Sequence, residues 1–163
     1  MAKRSSTKQP VLREGGTIAT NRRARYDYEI EQRHEAGMVL TGSEIKAIRL
    51  GRANIAEGFA RFQDGELWLY NVHIAHYPAA RDNHEPARPR KLLLHRSELE
   101  RLERELREQP GMTIVPLQMY LSRGKAKVEI GLGRGRRSYD KRQAIAKRDA
   151  DRTIQRALRR APS

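Results

Sequence analysis

Cysteine is absent from this chain of 163 residues, which excludes disulfides, thiolate metal sites and cysteine nucleophiles. Uninterrupted apolar runs reach only a few residues, far short of the ~20 that a bilayer-spanning helix needs. No membrane association is expected. The opening stretch Lys3, Arg4, Ser5, Ser6, Thr7 and Lys8 lacks the apolar segment of a secretory signal, so a cytoplasmic location is the expectation. No glycine loop resembles a P-loop, and Gly131-Leu132-Gly133 lacks the rest of a dinucleotide fingerprint. His73 and His76, three apart in an extended segment, point to opposite faces. Glu31, His34 and Glu35 match no standard metal-ligand spacing. Asp82, His84 and Glu85 fall in a long loop and read as surface polarity. With no convergent acid–base set, the sequence points to no catalytic residue, no metal, no cofactor and no enzyme.

Positive charge is what the chain has in excess, with 34 Lys and Arg against 20 Asp and Glu and a formal net charge of +14. The length suits one domain, able to bury about 70% of its unfolded surface. Residues 1–20 carry four bases and one acid, residues 21–132 carry 19 and 16, and residues 133–163 carry 11 and 3. More than half of the excess therefore sits in the last 31 residues. Basic arms on a balanced body are a nucleic-acid signature, because each neutralised phosphate releases counterions. A membrane-surface segment would want bulky apolar residues beside its bases, and the tail offers only Ile145, Ile154 and Leu158.

The body reads as strands with two short helices. Tyr26, Tyr28 and Ile30 alternate with Asp27, Glu29 and Glu31 as in a half-buried strand. Thr41 and Glu44 have capping-box spacing and Gly51 suits a helix C′ position, predicting a helix over 42–50 with Ile45 and Ile48 inward. Phe59 to Phe62, Asp64-Gly65 and Leu67 to Tyr70 predict a hairpin whose second strand continues through Val72 and Ile74. Residues 76–90, with Pro78, Pro86 and Pro89, read as a long loop. Leu92-Leu93-Leu94 predicts a strand, and Ser97 with Glu100 opens a second helix with a Leu99, Leu102, Leu106 stripe. Thr113 to Leu121, Arg123-Gly124 and Ala126 to Leu132 predict a last hairpin, broken by Gly131, Gly133 and Gly135. The sum is a mainly β fold, a small closed antiparallel barrel of the oligonucleotide-binding kind. The expected organisation is a flexible basic arm over 1–20, the barrel over 21–132, and a basic tail over 133–163 that is disordered when free. From Arg148 onward the tail gathers Arg148, Arg152, Arg156, Arg159 and Arg160 on one helical face, so it is expected to become a helix on a phosphate surface.

Asn21, Arg22, Arg23 and Arg25 run into Tyr26, joining cations that fork onto phosphates to an aromatic that either stacks on a base or fills the core. Arg88, Arg90 and Lys91 precede the leucine strand in a similar way.

Five segments together resemble the SsrA-binding protein (SmpB) family. They are Asn21-Arg22-Arg23-Ala24-Arg25-Tyr26-Asp27-Tyr28, Glu35-Ala36-Gly37, Leu40-Thr41-Gly42-Ser43-Glu44-Ile45-Lys46, Arg90-Lys91-Leu92-Leu93-Leu94-His95, and Tyr139-Asp140-Lys141-Arg142. The resemblance implies the same barrel with about three short helices, in a protein that binds the tRNA-like domain of transfer-messenger RNA (tmRNA) and delivers it to stalled ribosomes for trans-translation, making no bond itself. The implied partners are this RNA, the decoding centre and message channel of the small ribosomal subunit, and elongation factor Tu on the same RNA; the free protein is expected to be a monomer. By motif, the RNA face comprises Asn21, Arg22, Arg25, Glu35, Lys91 and Leu93, with Leu93 either touching RNA or packing beneath it. Substituting Asn21 or Glu35 with alanine is then expected to weaken RNA binding and leave the fold intact. The decoding-centre segment comprises Gly135, Arg136, Arg137, Tyr139, Asp140, Lys141 and Arg142. Arg136-Arg137 and Tyr139 depart from the lysine pair and histidine frequent in the family, which changes hydrogen-bond geometry and removes a titrating imidazole. The competing reading is a general RNA-binding or ribosome-associated accessory protein.

Overall fold

The structure, a computed structural model, describes residues 16–136 and 138–160, with backbone alone at 138–141 and 144. Nine strands and four helices follow in the order β1 (Thr17–Thr20), α1 (Ala24–Asp27), β2 (Tyr28–Met38), α2 (Gly42–Arg49), β3 (Ala53–Asn54), β4 (Phe59–Gln63), β5 (Glu66–Tyr70), β6 (His73–Ile74), β7 (Arg90–Leu93), α3 (Arg96–Glu108), β8 (Met112–Ser122), β9 (Lys125–Gly135) and α4 (Ser138–Arg160). Strands pair in the order β8-β4-β5-β7-β2-β9, and β9 returns to β8, so the six close into an antiparallel barrel with β1 added to β8. The barrel of the oligonucleotide-binding kind is therefore present. Because β1 pairs with β8, the sheet includes Thr17–Thr20, which lie before residue 21.

The inside follows from strand alternation. Ala36, Leu67, Leu69, Leu92, Ile114, Met119, Val128, Ile130 and Leu132 point inward and are buried with Ile48 and Leu102, which α2 and α3 contribute as end plugs. At about 25 cal/mol per Å² of apolar surface, this core supplies the main driving force for folding. The two tight hairpins stand where the sequence places them, with Asp64 and Gly65, and Arg123 and Gly124, all at positive φ, as a two-residue turn of matching twist requires.

Several local expectations give way to longer-range contacts. The first strand starts at Tyr28, because Arg23 to Asp27 coils into one helical turn that buries Ala24. Strand β5 stops at Tyr70, where Asn71 takes positive φ, and Ile74 pairs instead with Ala53 in a separate two-stranded sheet. Helix α3 starts two residues early, with His95 rather than Ser97 at its N-cap. The loop before β7 is not merely polar surface. His84 is buried, its Nε2 donating to the Ile74 carbonyl at 2.8 Å and its Nδ1 lying 2.9 Å from Ser43 Oγ.

The glycines of β9 do not break it. The strand runs on to Gly135, paired with Tyr28. A Cβ on Gly133 would lie 2.3 Å from the Glu29 carbonyl oxygen. A missing side chain thus lets β2 cross β9 closely where its register shifts between Ile30 and Gln32, a bulge that bends the strand and helps close the barrel. We expect Gly133→Ala to cost about 2 kcal/mol or more, as overpacked cores do. Gly135→Ala, whose Cβ would meet nothing within 4 Å, should stay within about 0.5 kcal/mol of the parent. Urea midpoints of the two variants check this.

Inside the barrel end lies a charge cluster absent from the sequence reading. Glu44 and Arg90 are both 0% exposed. The Glu44 carboxylate accepts from Thr41 N at 2.9 Å, from Arg88 Nε at 3.1 Å and closely from Arg88 Nη2 and Arg90 Nε. Arg90 also donates to the Val72 carbonyl at 2.6 Å and the Pro86 carbonyl at 2.9 Å. Arg90 is therefore a structural residue, and of the Arg88, Arg90, Lys91 trio only Lys91 is directed out of the barrel by alternation. Burial by itself would raise the Glu44 pKa, but hydrogen bonds from Arg88, the Thr41 backbone and Arg90 outweigh it and hold the carboxyl below its ordinary value. Burial lowers the Arg90 pKa, partly offset by Glu44. A depressed carboxyl contributes stability that is complete above its unfolded pKa of about 4.3 and lost as pH falls through the lower folded value. We expect Glu44→Gln to lose about 3–5 kcal/mol at neutral pH and to flatten the acid limb of a plot of Tm against pH.

Candidate nucleic-acid interface

Strand β2 is the spine along which the singled-out residues lie. Nine residues of extended chain, about 30 Å at 3.3 Å each, separate its start at Tyr28 from Gly37 near its end. At the far end, backbone register sets Tyr120 of β8, Lys127 of β9, Gly37 of β2 and Leu93 of β7 in one row across four strands. The next row holds Gln118, Glu129 and Glu35. Their inward neighbours Ala36, Val128 and Leu92 are core residues, so alternation turns this set outward. Leu93 is 51% exposed, which decides its open alternative in favour of the surface. Lys91 lies two residues along on the same face, its Nζ 2.7 Å from Glu66 Oε1.

The two carboxylates of the second row stand directly opposite one another, an arrangement that costs energy unless each is held. The Tyr120 hydroxyl donates closely to Glu35, and Gln118 Nε2 donates to Glu129 at 3.1 Å with Arg33 Nη1 3.6 Å away. Burial first, then its bond to Glu35, pushes the Tyr120 pKa far up, so the phenol stays a donor. Tyr120 and Lys127 were missed in the sequence, although the two-residue turn at Arg123-Gly124 fixes their pairing and could have revealed them.

At the near end of β2, Asn21 is 3% exposed. Its Nδ2 donates to the Pro116 carbonyl at 2.9 Å and the Ile55 carbonyl at 3.4 Å, and its Oδ1 accepts from Ala24 N at 3.1 Å. These bonds build the α1 turn and leave Arg22 and Arg25 exposed on it. The expectation that Asn21 can be replaced without harm to the fold therefore needs correcting. Losing three such bonds at about 1 kcal/mol each predicts that Asn21→Ala lowers stability by about 2–3 kcal/mol, whereas Arg22→Ala leaves it unchanged; thermal melts distinguish the two.

The chain leaves the barrel at this same end. Gly135 closes β9, and Arg136 N donates to the Asp27 carbonyl at 2.7 Å. Arg136 Nε is buried without a hydrogen-bond partner among the described residues. Arg137 lies outside the described residues. Tyr139, Asp140 and Lys141 belong by backbone to the first turn of α4, and Arg142 is exposed one turn further on. The helix thus starts at Ser138, well before Arg148, and carries exposed Ile145, Ile154 and Leu158. Its Arg148 guanidinium lies over the Tyr26 ring, 5.0 Å from the centroid. Tyr26 is half-buried, so it is neither the core residue nor the free stacking platform that the sequence left open.

Among the described residues no group of three or more His, Cys, Asp or Glu side chains is placed to hold a metal ion, and no helix is long and apolar enough to cross a membrane. A closed barrel of the oligonucleotide-binding kind, a mixed outward face and a basic helical extension are features of the nucleic-acid-binding class of proteins. Comparison with known proteins narrows the class. The family model described as SmpB protein matches residues 18–160, and the chain belongs to that family, which is not a family of enzymes. The SsrA-binding protein of Thermobifida fusca is 57% identical over 145 residues, covering 88% of this chain and 90% of that protein. That of Acidothermus cellulolyticus is 57% identical over 153 residues, covering 92% and 96%. A solved structure described as "tmRNA-SmpB: a journey to the center of the bacterial ribosome" is similar at a TM-score of 0.62 and 48% identity, covering 83% of this chain and 94% of that one.

Proposed function

We infer that this protein binds the tRNA-like domain of tmRNA and delivers it to stalled ribosomes for trans-translation, and that separate parts of the chain perform the two tasks. Family membership over residues 18–160 is the observation that carries the reading. The RNA face runs along β2, from Arg22 and Arg25 at one end to Glu35, Lys91 and Leu93 at the other. Asn21 contributes by holding the turn on which the two arginines stand. The arginines fork onto phosphates. Leu93, exposed beside Gly37, offers an apolar contact to an unstacked base. Glu35, gripped by the Tyr120 hydroxyl, keeps acceptor positions for a base edge or a 2′-hydroxyl, groups that bare cations cannot read.

The tail, Gly135 to Arg142 and onward, is assigned to the small ribosomal subunit, its decoding centre and empty message channel. A planar Tyr139 suits stacking on a ribosomal base, and Arg136, Arg137, Lys141 and Arg142 suit phosphates, with Asp140 between them. Elongation factor Tu accompanies the same RNA, and the free protein acts as a monomer in the cytoplasm. The organisation that goes with this is a basic arm, a barrel and a ribosome-directed tail.

Tyr120→Phe should lower affinity for the tRNA-like domain about fivefold and cost about 1 kcal/mol of stability, since it removes the bond that orients Glu35 and holds it opposite Glu129; isothermal titration and thermal melts measure the two. A chain truncated after Arg136, which keeps all of β9, should still prefer this RNA to an unrelated structured RNA and lose peptide tagging on stalled ribosomes. Equal affinity for both RNAs would make it a general basic RNA binder, and retained tagging would remove the tail from the decoding centre.

A further inference from the structure

Between α1 and α4 lies a cleft of about 560 Å³ lined by Thr20, Arg22, Arg25, Tyr26, Arg148 and Arg152. Its size falls in the range of small-ligand sites. Its lining is unusual in charge, with four arginines and no carboxylate among the described residues. Two guanidiniums come from the turn that Asn21 holds. The other two come from adjacent turns of the tail helix, at a spacing where like charges repel. Arg148 also lies over the Tyr26 ring, a single contact too weak by itself to hold α4 in one orientation. Four convergent guanidiniums repel one another unless an anion sits among them, and the planar fork of arginine matches phosphate better than any other biological anion but a carboxylate.

We propose that this cleft is an RNA-phosphate site shared between barrel and tail, in which one backbone phosphate is held jointly by Arg22 and Arg25 and by Arg148 and Arg152. Binding RNA then fastens α4 to the barrel, and the tail's orientation depends on whether RNA is bound. The proposal rests on the assignment of Arg22 and Arg25 to RNA made above and adds Arg148 and Arg152 to it. The phosphate comes either from tmRNA or from ribosomal RNA, and the two sources are separable by experiment.

The chain has no cysteine, so Gln63→Cys on β4 and Asp151→Cys on α4, both exposed, accept a spin-label pair without competing sites. Pulsed dipolar spectroscopy on the full chain would be recorded alone, with the tRNA-like domain, and with the small ribosomal subunit. The expected result is a broad distance distribution that collapses to one narrow peak when the RNA is added. Arg148→Ala with Arg152→Ala, which keeps helix propensity, should abolish the narrowing and reduce the slope of log affinity against log salt by less than the ~0.9 of one whole phosphate, because Arg22 and Arg25 remain on it. Narrowing only with the ribosomal subunit would keep the site and assign its phosphate to ribosomal RNA. Narrowing that persists in the double variant, or no narrowing in either arm while RNA is bound, overturns the proposal. Arg22→Ala binding the tRNA-like domain as the parent does, while the subunit still narrows the distribution, would overturn the assignment of Arg22 to tmRNA and leave the cleft standing as a ribosomal RNA site.

Discussion

The Glu44 carboxylate is the point on which the outward face depends. It reaches across 46 residues to Arg90, closes the first turn of α2 through Thr41, and ties down the proline-containing loop through Arg88. A buried ion cluster is weak evidence for stability, because an apolar replacement often does as well. Its consequence here is positional. With Arg90 drawn inward to Glu44 and to the Val72 and Pro86 carbonyls, alternation turns Lys91 and Leu93 outward. A slip of one residue in β7 would bury Lys91 and Leu93 and expose Arg90 and Leu92. Such a slip would take from Glu44 its fully buried partner and leave Arg88 as its remaining cation. The register of a four-residue strand, too short to specify itself, is thus favoured by the buried Glu44–Arg90 pair.

A second constraint acts where β2 meets β9. Closing six strands into a barrel needs a sharp bend, and the bend is obtained by removing side chains at Gly131 and Gly133 rather than by ending the strand. Because β9 continues to Gly135, the chain leaves the barrel beside α1 instead of several residues earlier. The exit, the Arg22 and Arg25 turn and the base of the tail helix consequently share one end of the molecule, while Leu93 and Lys127 occupy the other.

Local signals were legible wherever the deciding contacts are local. The Asp64-Gly65 and Arg123-Gly124 turns, the Thr41–Glu44 helix start and the apolar stripe of α3 each rest on neighbours a few residues apart. Misreadings occurred where a distant partner decides. Arg90 reads as one more cation until Glu44 is seen beside it, and His84 reads as loop polarity until Ser43 and Ile74 enclose it. Asn21 was singled out as an RNA contact, but its bonds to Pro116 and Ile55 join residues 95 and 34 positions away, which no spacing rule announces. Gly133 was read by its propensity, whereas its role comes from the approach of Glu29. The family's motif residues were visible as a set; their division into outward and buried was not.

The charge balance of the chain takes on a physical meaning from this geometry. In the barrel, acids and bases nearly cancel because many are spent on one another, as in Glu44 with Arg88 and Arg90, Lys91 with Glu66, and Arg33 with Glu129. What remains on its face is a mixture of acceptor, apolar and cationic groups, suited to telling one folded RNA from another by edges and shape. The tail keeps its excess, and binding there draws on counterion release, which is strong but indifferent to sequence. On the proposed reading, discrimination and electrostatic attraction are thereby divided between different parts of one chain. The only described place where the two meet is the end of β2, where arginines of the barrel turn and of the tail helix line one cleft with no carboxylate among the described residues.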